Sequence, residues 1–239
     1  MKFSALDPDR VVTTILRLRN RIVERFPDAN LGAVADDLHA IARAHAARSE
    51  QIRRPAWGLR LLSVSLLGSG IGILAILWQS VPRASATDWH LATAIQTYDA
   101  GLSMLLLLGA SALFTLSLEP RRKRRRCLVA LHELRAMAHV VDMHQLTKDP
   151  DRLDNAGRDT PSSPARSLTR FEMVRYLDYC SEMLSLMGKL AALYIQGFPD
   201  PVATAAVDDI ENLTTGLAAK IWQKIMILQQ PTTVPGHPA

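Results

Sequence analysis

The stretch LLSVSLLGSGIGILAILWQSV, residues 61–81, decides the fold class because none of its 21 residues is charged. A second uncharged stretch of 19 residues covers 100–118. As α-helices the two would be about 31 and 28 Å long, which matches the roughly 30 Å hydrocarbon core of a bilayer. We therefore predict two transmembrane helices, residues 57–82 and 100–118, joined by a short extracytoplasmic loop, residues 83–99.

The average composition conceals these spans. The chain has 239 residues, of which 48% are apolar and 21% charged, and its mean hydropathy is +0.05. These averages exclude a disordered chain, a collagen and a small disulfide scaffold. All 51 charged residues lie in the 199 residues outside the two stretches, a density of about 26% that is typical of a soluble domain. The near-zero mean therefore combines two opposite populations.

The distribution of Lys and Arg predicts the orientation of the two spans. Six consecutive cations follow the second span, five arginines between residues 43 and 60 precede the first, and only Arg83 lies between the spans. Because cytoplasmic flanks carry the excess of basic residues, both termini are expected in the cytoplasm of a bacterium, with the chain in its inner membrane. Cys127 and Cys180 should then remain reduced. The six cations, which should contact anionic lipid headgroups, are Arg121, Arg122, Lys123, Arg124, Arg125 and Arg126.

Small and polar residues recur at steps of three and four along the first span. They are Ser65, Gly68, Ser69, Gly72, Ala75 and Gln79, which we call the small-residue stripe. Small side chains let helices approach closely in lipid. The preferred interpretation is packing against the second span, and the alternatives are packing against another copy of the chain or the lining of a pore. Asp88 and Asp99 near the loop favour the pore.

The flanks of the spans read as amphipathic helices. Asp7-Pro8 and Asp200-Pro201 predict helix starts, and Thr169 with Glu172 forms a capping-box pattern. The predicted fold class is all-α, a two-span transmembrane hairpin with a cytoplasmic helical bundle built from both flanks. Outside the spans and loop, the predicted parts are a helical N-terminal region 1–56, a basic juxtamembrane region and helix 119–148, a flexible linker 149–167, a helical hairpin 168–229 and a disordered tail 230–239.

Histidines and acids on the helix after the basic run suggest a metal site. His139 and Asp142 are three residues apart and share a helix face, but His132-Glu133 is not followed by a second histidine at the zincin spacing. A hydrogen-bonded polar seam between helices is therefore the preferred interpretation, and no bound metal is expected. His45 is expected to be a packed or hydrogen-bonded neighbour in its bundle.

Catalytic motifs are absent from the sequence: it has no glycine-rich phosphate loop, no nucleophile elbow and no Cys-x-x-Cys pair. We expect no enzyme activity, no cofactor and no nucleic-acid partner, since no aromatic residue is interleaved with the cations. The predicted function is an oligomeric scaffold or adaptor that assembles, with itself or a protein partner, through the apolar faces of residues 171–195 and 210–228. The alternative is a homo-oligomeric pore. A metal-dependent enzyme is a third, weaker possibility.

Overall fold

The computed structural model describes residues 5–80, 91–150, 161–162 and 168–230. Within these ranges the regular secondary structure consists of six α-helices and contains no β-strand, which confirms the all-α prediction. The helices are α1 (Pro8–Arg25), α2 (Leu31–Arg53), α3 (Trp57–Ser80), α4 (Leu91–Leu146), α5 (Arg170–Ile195) and α6 (Pro201–Gln229). The predicted linker and tail fall mostly outside the described residues.

The chain divides into two compact units. The first, here called the bundle, contains Met1–Arg53 and Arg126–Ala239; the second, the hairpin unit, contains Arg54–Arg125. The bundle is thus built from both flanks of the two apolar helices, as the sequence predicts. The division falls inside α4, which supplies residues to both units.

Three of the helices begin at the caps that the sequence predicts. The Asp7 carboxylate accepts hydrogen bonds from the backbone N–H groups of Asp9 and Arg10 at the start of α1, and Asp200 does the same for Val202 and Ala203 at the start of α6. Thr169 and Glu172 form the capping box of α5. Each cap satisfies backbone donors that have no partner inside the helix.

Helix α5 is the centre of the bundle, because it is buried over most of its circumference. It packs against α6, α1 and α2, and the ring of Phe26 lies edge-on to Tyr176 and Tyr179 of α5, with centroids 5.7 and 6.2 Å away. The part of α4 from Cys127 to Val141 contributes further buried side chains. The apolar face of residues 171–195 therefore lies at the centre of the bundle.

Helix α4 differs from the predicted boundaries at both ends of the second span. It begins at Leu91, inside the predicted loop, and continues without interruption through Pro120 and the six cations to Leu146. One proline removes a single backbone hydrogen bond and strains one turn, whereas Lys and Arg are good helix formers. Pro120 therefore does not end the helix, and α4 extends beyond both ends of the predicted second span.

Candidate functional site

The apolar helices of the hairpin unit are mostly uncovered. In both α3 and the apolar part of α4, only 11% of the most apolar window is buried. A core helix of a soluble protein with these windows would be mostly buried, since burial is what stabilises apolar surface in water. The described chain therefore contains two helices that are long and apolar enough to cross a membrane. Their large exposed side chains are Leu61, Leu62, Val64, Leu67, Ile71, Ile73 and Ile76 on α3, and Leu102, Leu105, Leu106, Leu107, Leu113 and Phe114 on α4.

Helices α3 and α4 meet through a face of α3 that the sequence analysis did not select. A Cβ atom placed on Gly70 would lie 2.6 Å from Cδ1 of Leu108, so the two helices approach closely there. Ser63 of α3 and Ala112 and Thr115 of α4 are buried near this contact face. Seven residues separate Ser63 from Gly70, which is two helical turns on one side of α3.

The small-residue stripe lies on a different side of α3 and is exposed along its whole length. A Cβ atom on Gly68 or Gly72 would meet no other heavy atom within 4 Å. In the described chain the stripe is therefore not packed against α4, and its role in helix packing or pore lining stays a prediction. Both of these faces of α3 contain small residues. They differ in their position around the helix axis, since one face is turned toward α4 and the other is not. The stripe positions are Ser65, Gly68, Ser69, Gly72, Ala75 and Gln79.

A carboxylate holds the charged ends of the hairpin unit together. The Glu119 side chain, only 14% exposed, accepts hydrogen bonds from the backbone N–H of Ala56 at 3.2 Å and from Nε of Arg60 at 3.1 Å, and Nζ of Lys123 lies 2.9 Å away. The hydrogen bond from Lys123 is the largest of the contacts that lower the pKa of Glu119 to about 2, against the opposing effect of burial. The Glu119–Lys123 pair has the i,i+4 spacing that a sequence shows, whereas the contacts with Ala56 and Arg60 require the tertiary structure.

The six cations after the second span do not form one uniform surface. Arg121, Arg122 and Arg125 are exposed, as is Arg126, whereas Lys123 and Arg124 are partly buried. Lys123 is paired with Glu119. The basic run is therefore divided into a paired inner side and an outer side that faces solvent or lipid.

The predicted residues of the outer loop fall partly outside the described chain. Asp88 lies outside the described residues. Asp99 lies on α4 and is exposed. Tyr98, next to it, is 80% exposed.

A buried polar cluster joins α2, α4 and α5 inside the bundle. The His45 ring is fully buried, its Nε2 lies 3.2 Å from Oε2 of Glu133, and Arg48 donates to the same oxygen at 3.0 Å. The ring also stands edge-on to Tyr194, with centroids 5.6 Å apart. His45 is thus the packed and hydrogen-bonded neighbour that its sequence position predicts, and Glu133 belongs to the predicted polar seam.

Burial sets the protonation of this cluster. Desolvation lowers the pKa of His45, against the raising effect of Glu133, so the neutral ring donates its Nε2 proton to the Glu133 carboxylate. Burial alone would raise the pKa of Glu133, but the hydrogen bonds from Arg48 and His45 outweigh it and lower that pKa. Among the residues that the structure describes, none gives Nδ1 of His45 a hydrogen bond, and an unsatisfied buried nitrogen of this kind destabilises the fold.

Further polar contacts continue the seam along α4. Arg135 lies 3.5 Å from Asp209 of α6. Near the end of α4, Lys224 of α6 donates to the backbone carbonyls of Gln145 and Lys148 at 3.0 and 3.1 Å. The Gln145 carbonyl also accepts from the backbone N–H of Lys148 at 3.0 Å, so Lys224 adds a side-chain donor from α6 to the turn that ends α4.

The candidate metal pair is not assembled into a ligand set. Asp142 accepts a hydrogen bond from Nε2 of Gln145 at 2.7 Å, and His139 is exposed. No group of three or more His, Cys, Asp or Glu side chains with metal-binding geometry occurs in the described parts of the chain. The seam interpretation accounts for Glu133, Arg135 and Lys224 without a metal.

An open groove of about 800 Å³ lies between the α1–α2 connection and the end of α4. Its floor includes Phe26 and Tyr176, and Nζ of Lys148 lies 5.0 Å from the centroid of the Tyr176 ring. Charged side chains of both signs line it, among them Arg25, Lys148, Asp28 and Glu172. A surface of mixed charge does not select one class of ligand.

The two apolar faces through which assembly is predicted are packed inside the bundle. On α5 the stripe from Tyr176 to Tyr194 is buried, and on α6 the buried positions include Ile210, Leu217 and Ile221. What remains exposed on α6 is a separate apolar group near its end. Trp222, Met226 and Ile227 are 56%, 48% and 45% exposed, respectively.

Comparison of this chain with protein-family models, curated proteins and solved structures finds no match, so the assignment of function rests on the geometry described above.

Proposed function

We propose that this chain is an integral protein of a bacterial inner membrane that works as an oligomeric scaffold or adaptor, with both termini in the cytoplasm. Support for membrane residence comes from the uncovered apolar windows of α3 and α4. Support for the orientation comes from Arg60 and the basic residues of 121–125, which lie next to the ends of the two apolar stretches, since cytoplasmic flanks carry the excess of Lys and Arg.

The single observation that carries the assembly role is the exposed apolar group on α6. Trp222 and Met226 are four residues apart, so they are neighbours on one helix face. A tryptophan exposed over half its surface costs solvation free energy in an isolated bundle, and this residue type is enriched at the energetic centres of protein interfaces. We assign this group, and not the buried faces of α5 and α6, as the assembling surface, and we take a second copy of the chain as its partner.

The test is the molar mass of the detergent-solubilised protein, measured by light scattering on a sizing column. We expect the wild type to form a defined oligomer, and Trp222→Ser with Met226→Ser to shift it toward the monomer. Val202→Ser is the matched control, since Val202 is a comparably exposed apolar residue at the other end of α6. A wild type that is strictly monomeric and captures no partner from its native membrane contradicts the proposal.

The second candidate function is a homo-oligomeric pore, and the exposed small-residue stripe favours it. Ser65, Ser69 and Gln79 are on a side of α3 that does not contact α4, so an oligomer can turn them toward a shared axis. Against this, the Ser69 hydroxyl donates to the backbone oxygen of Leu66 at 3.0 Å and so needs no water. Proteoliposomes should release ions or dye if a pore forms. Ser69→Leu with unchanged flux would remove the stripe from the lining.

A metal-dependent enzyme is the least supported class. Elemental analysis of the purified protein decides it, because His139 and Asp142 would have to retain a metal together with ligands from elsewhere. A stoichiometric bound metal that His139→Gln releases would establish the site.

A further inference from the structure

Three exposed guanidinium groups follow directly after the apolar part of α4. Arg121, Arg122 and Arg125 are exposed, and none of them forms an ion pair within the described chain. Their neighbours behave differently: Lys123 pairs with Glu119, and Arg124 is partly buried and has a partner. Arg126 is exposed as well, but it belongs to the bundle. Within the part of the basic run that belongs to the hairpin unit, the exposed cations are therefore Arg121, Arg122 and Arg125.

The three arginines share one side of the helix. At about 100° per residue, Arg125 is about 40° and Arg122 about 100° from Arg121 around the helix axis. Leu107 and Phe114 fall within the same arc, and they are 70% and 59% exposed. One continuous face of α4 thus changes from exposed apolar side chains to exposed guanidinium groups.

The position of this change along the helix matches the headgroup layer. The last apolar residue of the predicted span is Leu118. With a rise of 1.5 Å per residue, Arg121 is about 4.5 Å and Arg125 about 10 Å beyond it. The polar layer on each side of a bilayer is about 5–8 Å thick, and long arginine side chains extend along a surface to place their charge in it.

We propose that Arg121, Arg122 and Arg125 form a binding surface for the phosphate groups of anionic phospholipids, at the point where α4 leaves the bilayer. The guanidinium fork donates two parallel hydrogen bonds to a phosphate, in addition to its charge. Lys123 pairs with Glu119 and is not part of this surface. This inference depends on the membrane residence in the proposed function, and not on the oligomeric state.

The experiment uses the full-length protein reconstituted in phosphatidylcholine membranes. Spin-labelled phosphatidylglycerol and spin-labelled phosphatidylcholine are compared by the fraction of each that the protein immobilises. We expect the wild type to select phosphatidylglycerol. The triple change Arg121→Gln, Arg122→Gln, Arg125→Gln should lower this selectivity close to unity, since each arginine that contacts an anionic headgroup contributes about fivefold in affinity.

Two control variants separate this surface from general charge. Arg17→Gln, Arg43→Gln and Lys220→Gln together remove the same net charge from exposed positions of the bundle and should leave the selectivity unchanged. Lys123→Gln should also leave it unchanged. Replacing the three arginines by lysine keeps the charge, so most of the selectivity should remain while the hydrogen-bonding fork is lost.

Several results would overturn the proposal. The first is that the wild type shows no headgroup selectivity. The second is that the triple glutamine variant retains the selectivity, and the third is that the control with three changes in the bundle loses as much selectivity as that variant. Selectivity of the wild type that persists at high salt would also contradict it, because exposed charges are screened, and this measurement needs no variant. Binding of a labelled DNA duplex that requires the three arginines, without lipid selectivity, would assign the surface to nucleic acid instead. If the protein fails to float with vesicles at all, the proposed membrane residence fails rather than this surface.

Discussion

At the scale of single residues, the buried histidine of the bundle should make stability depend on pH. His45 has a pKa below its ordinary value of 6.5 in the folded chain because of desolvation. Below pH 6.5 the unfolded chain binds a proton at this site that the folded chain excludes. The free energy of unfolding should therefore decrease as the pH falls, by at most about 1.4 kcal/mol per pH unit from this one group.

The variant His45→Phe should remove this part of the pH dependence. A phenyl ring keeps the edge-on contact with Tyr194 and carries no proton, while Arg48 still pairs with Glu133. The measurement is the thermal midpoint of the bundle in detergent, followed by circular dichroism between about pH 7 and pH 5, above the range in which Glu133 titrates. His139→Gln, a change at an exposed histidine of α4, is the control. An unchanged slope in His45→Phe would show that another group is responsible.

The second residue-scale prediction concerns Glu119. Glu119→Gln removes the charge that Arg60 and Lys123 share and weakens the hydrogen bond from Ala56. Because the carboxylate is largely buried, we expect a loss of about 1–3 kcal/mol in the stability of the hairpin unit. Chemical denaturation in detergent measures the loss. Asp99→Asn, at an exposed position of α4, should change the stability by much less, and an equal loss in both variants would contradict a specific role for Glu119.

At the scale of elements, the contact between α3 and α4 has a matched pair of tests. Gly70→Leu places a side chain where Leu108 already lies, and overpacking of this kind costs about 1–3 kcal/mol. Gly72→Leu places the same side chain in open space, so the stability of the hairpin unit should be retained. Chemical denaturation of both variants in detergent compares them. Equal destabilisation would mean that the helices do not meet at Gly70.

The two glycine variants also test whether the chain assembles through the small-residue stripe. If the small-residue stripe packs against a second copy, Gly72→Leu should lower the molar mass of the solubilised protein without loss of helix content. If Gly72→Leu alters neither stability nor molar mass, lipid covers the stripe. The two variants thus distinguish small residues of α3 that contact α4 from small residues that contact another molecule. The sequence pattern alone does not make this distinction.

At the scale of the whole molecule, the bundle is assembled from segments on either side of the hairpin unit. Helices α1 and α2 contact α5 through buried residues such as Ile15, Ile22 and Leu38. After cleavage at a protease site inserted between Arg54 and Pro55, the fragment 1–54 should therefore stay bound to the rest of the chain. Co-purification through a C-terminal tag in detergent is the measurement. Release of the fragment under native conditions would contradict a shared core, and release only in denaturant is the expected control.

Much of the fold could be predicted from the sequence, because its signals are local. The caps at Asp7, Thr169 and Asp200 and the apolar face of α1 each depend on residues within a few positions of each other. The spans depend on uninterrupted lengths without charge. One local signal does not end a helix by itself. Helix α4 continues through Pro120 because the turns on both sides favour the helix more strongly than one missing hydrogen bond opposes it.

The sequence by itself determined that the chain is all-α, that two helices are long and apolar enough to cross a membrane, and which side of each flanking helix is apolar. Only the tertiary structure decided which partner each face meets. It placed the Gly70 side of α3 against α4 and left the small-residue stripe exposed. It also joined His45 to Glu133, which are 88 residues apart in the sequence, and it buried the faces through which assembly is predicted. The reason is that periodicity fixes the direction of a side chain around its own helix axis, whereas contacts depend on how two helices are rotated against each other.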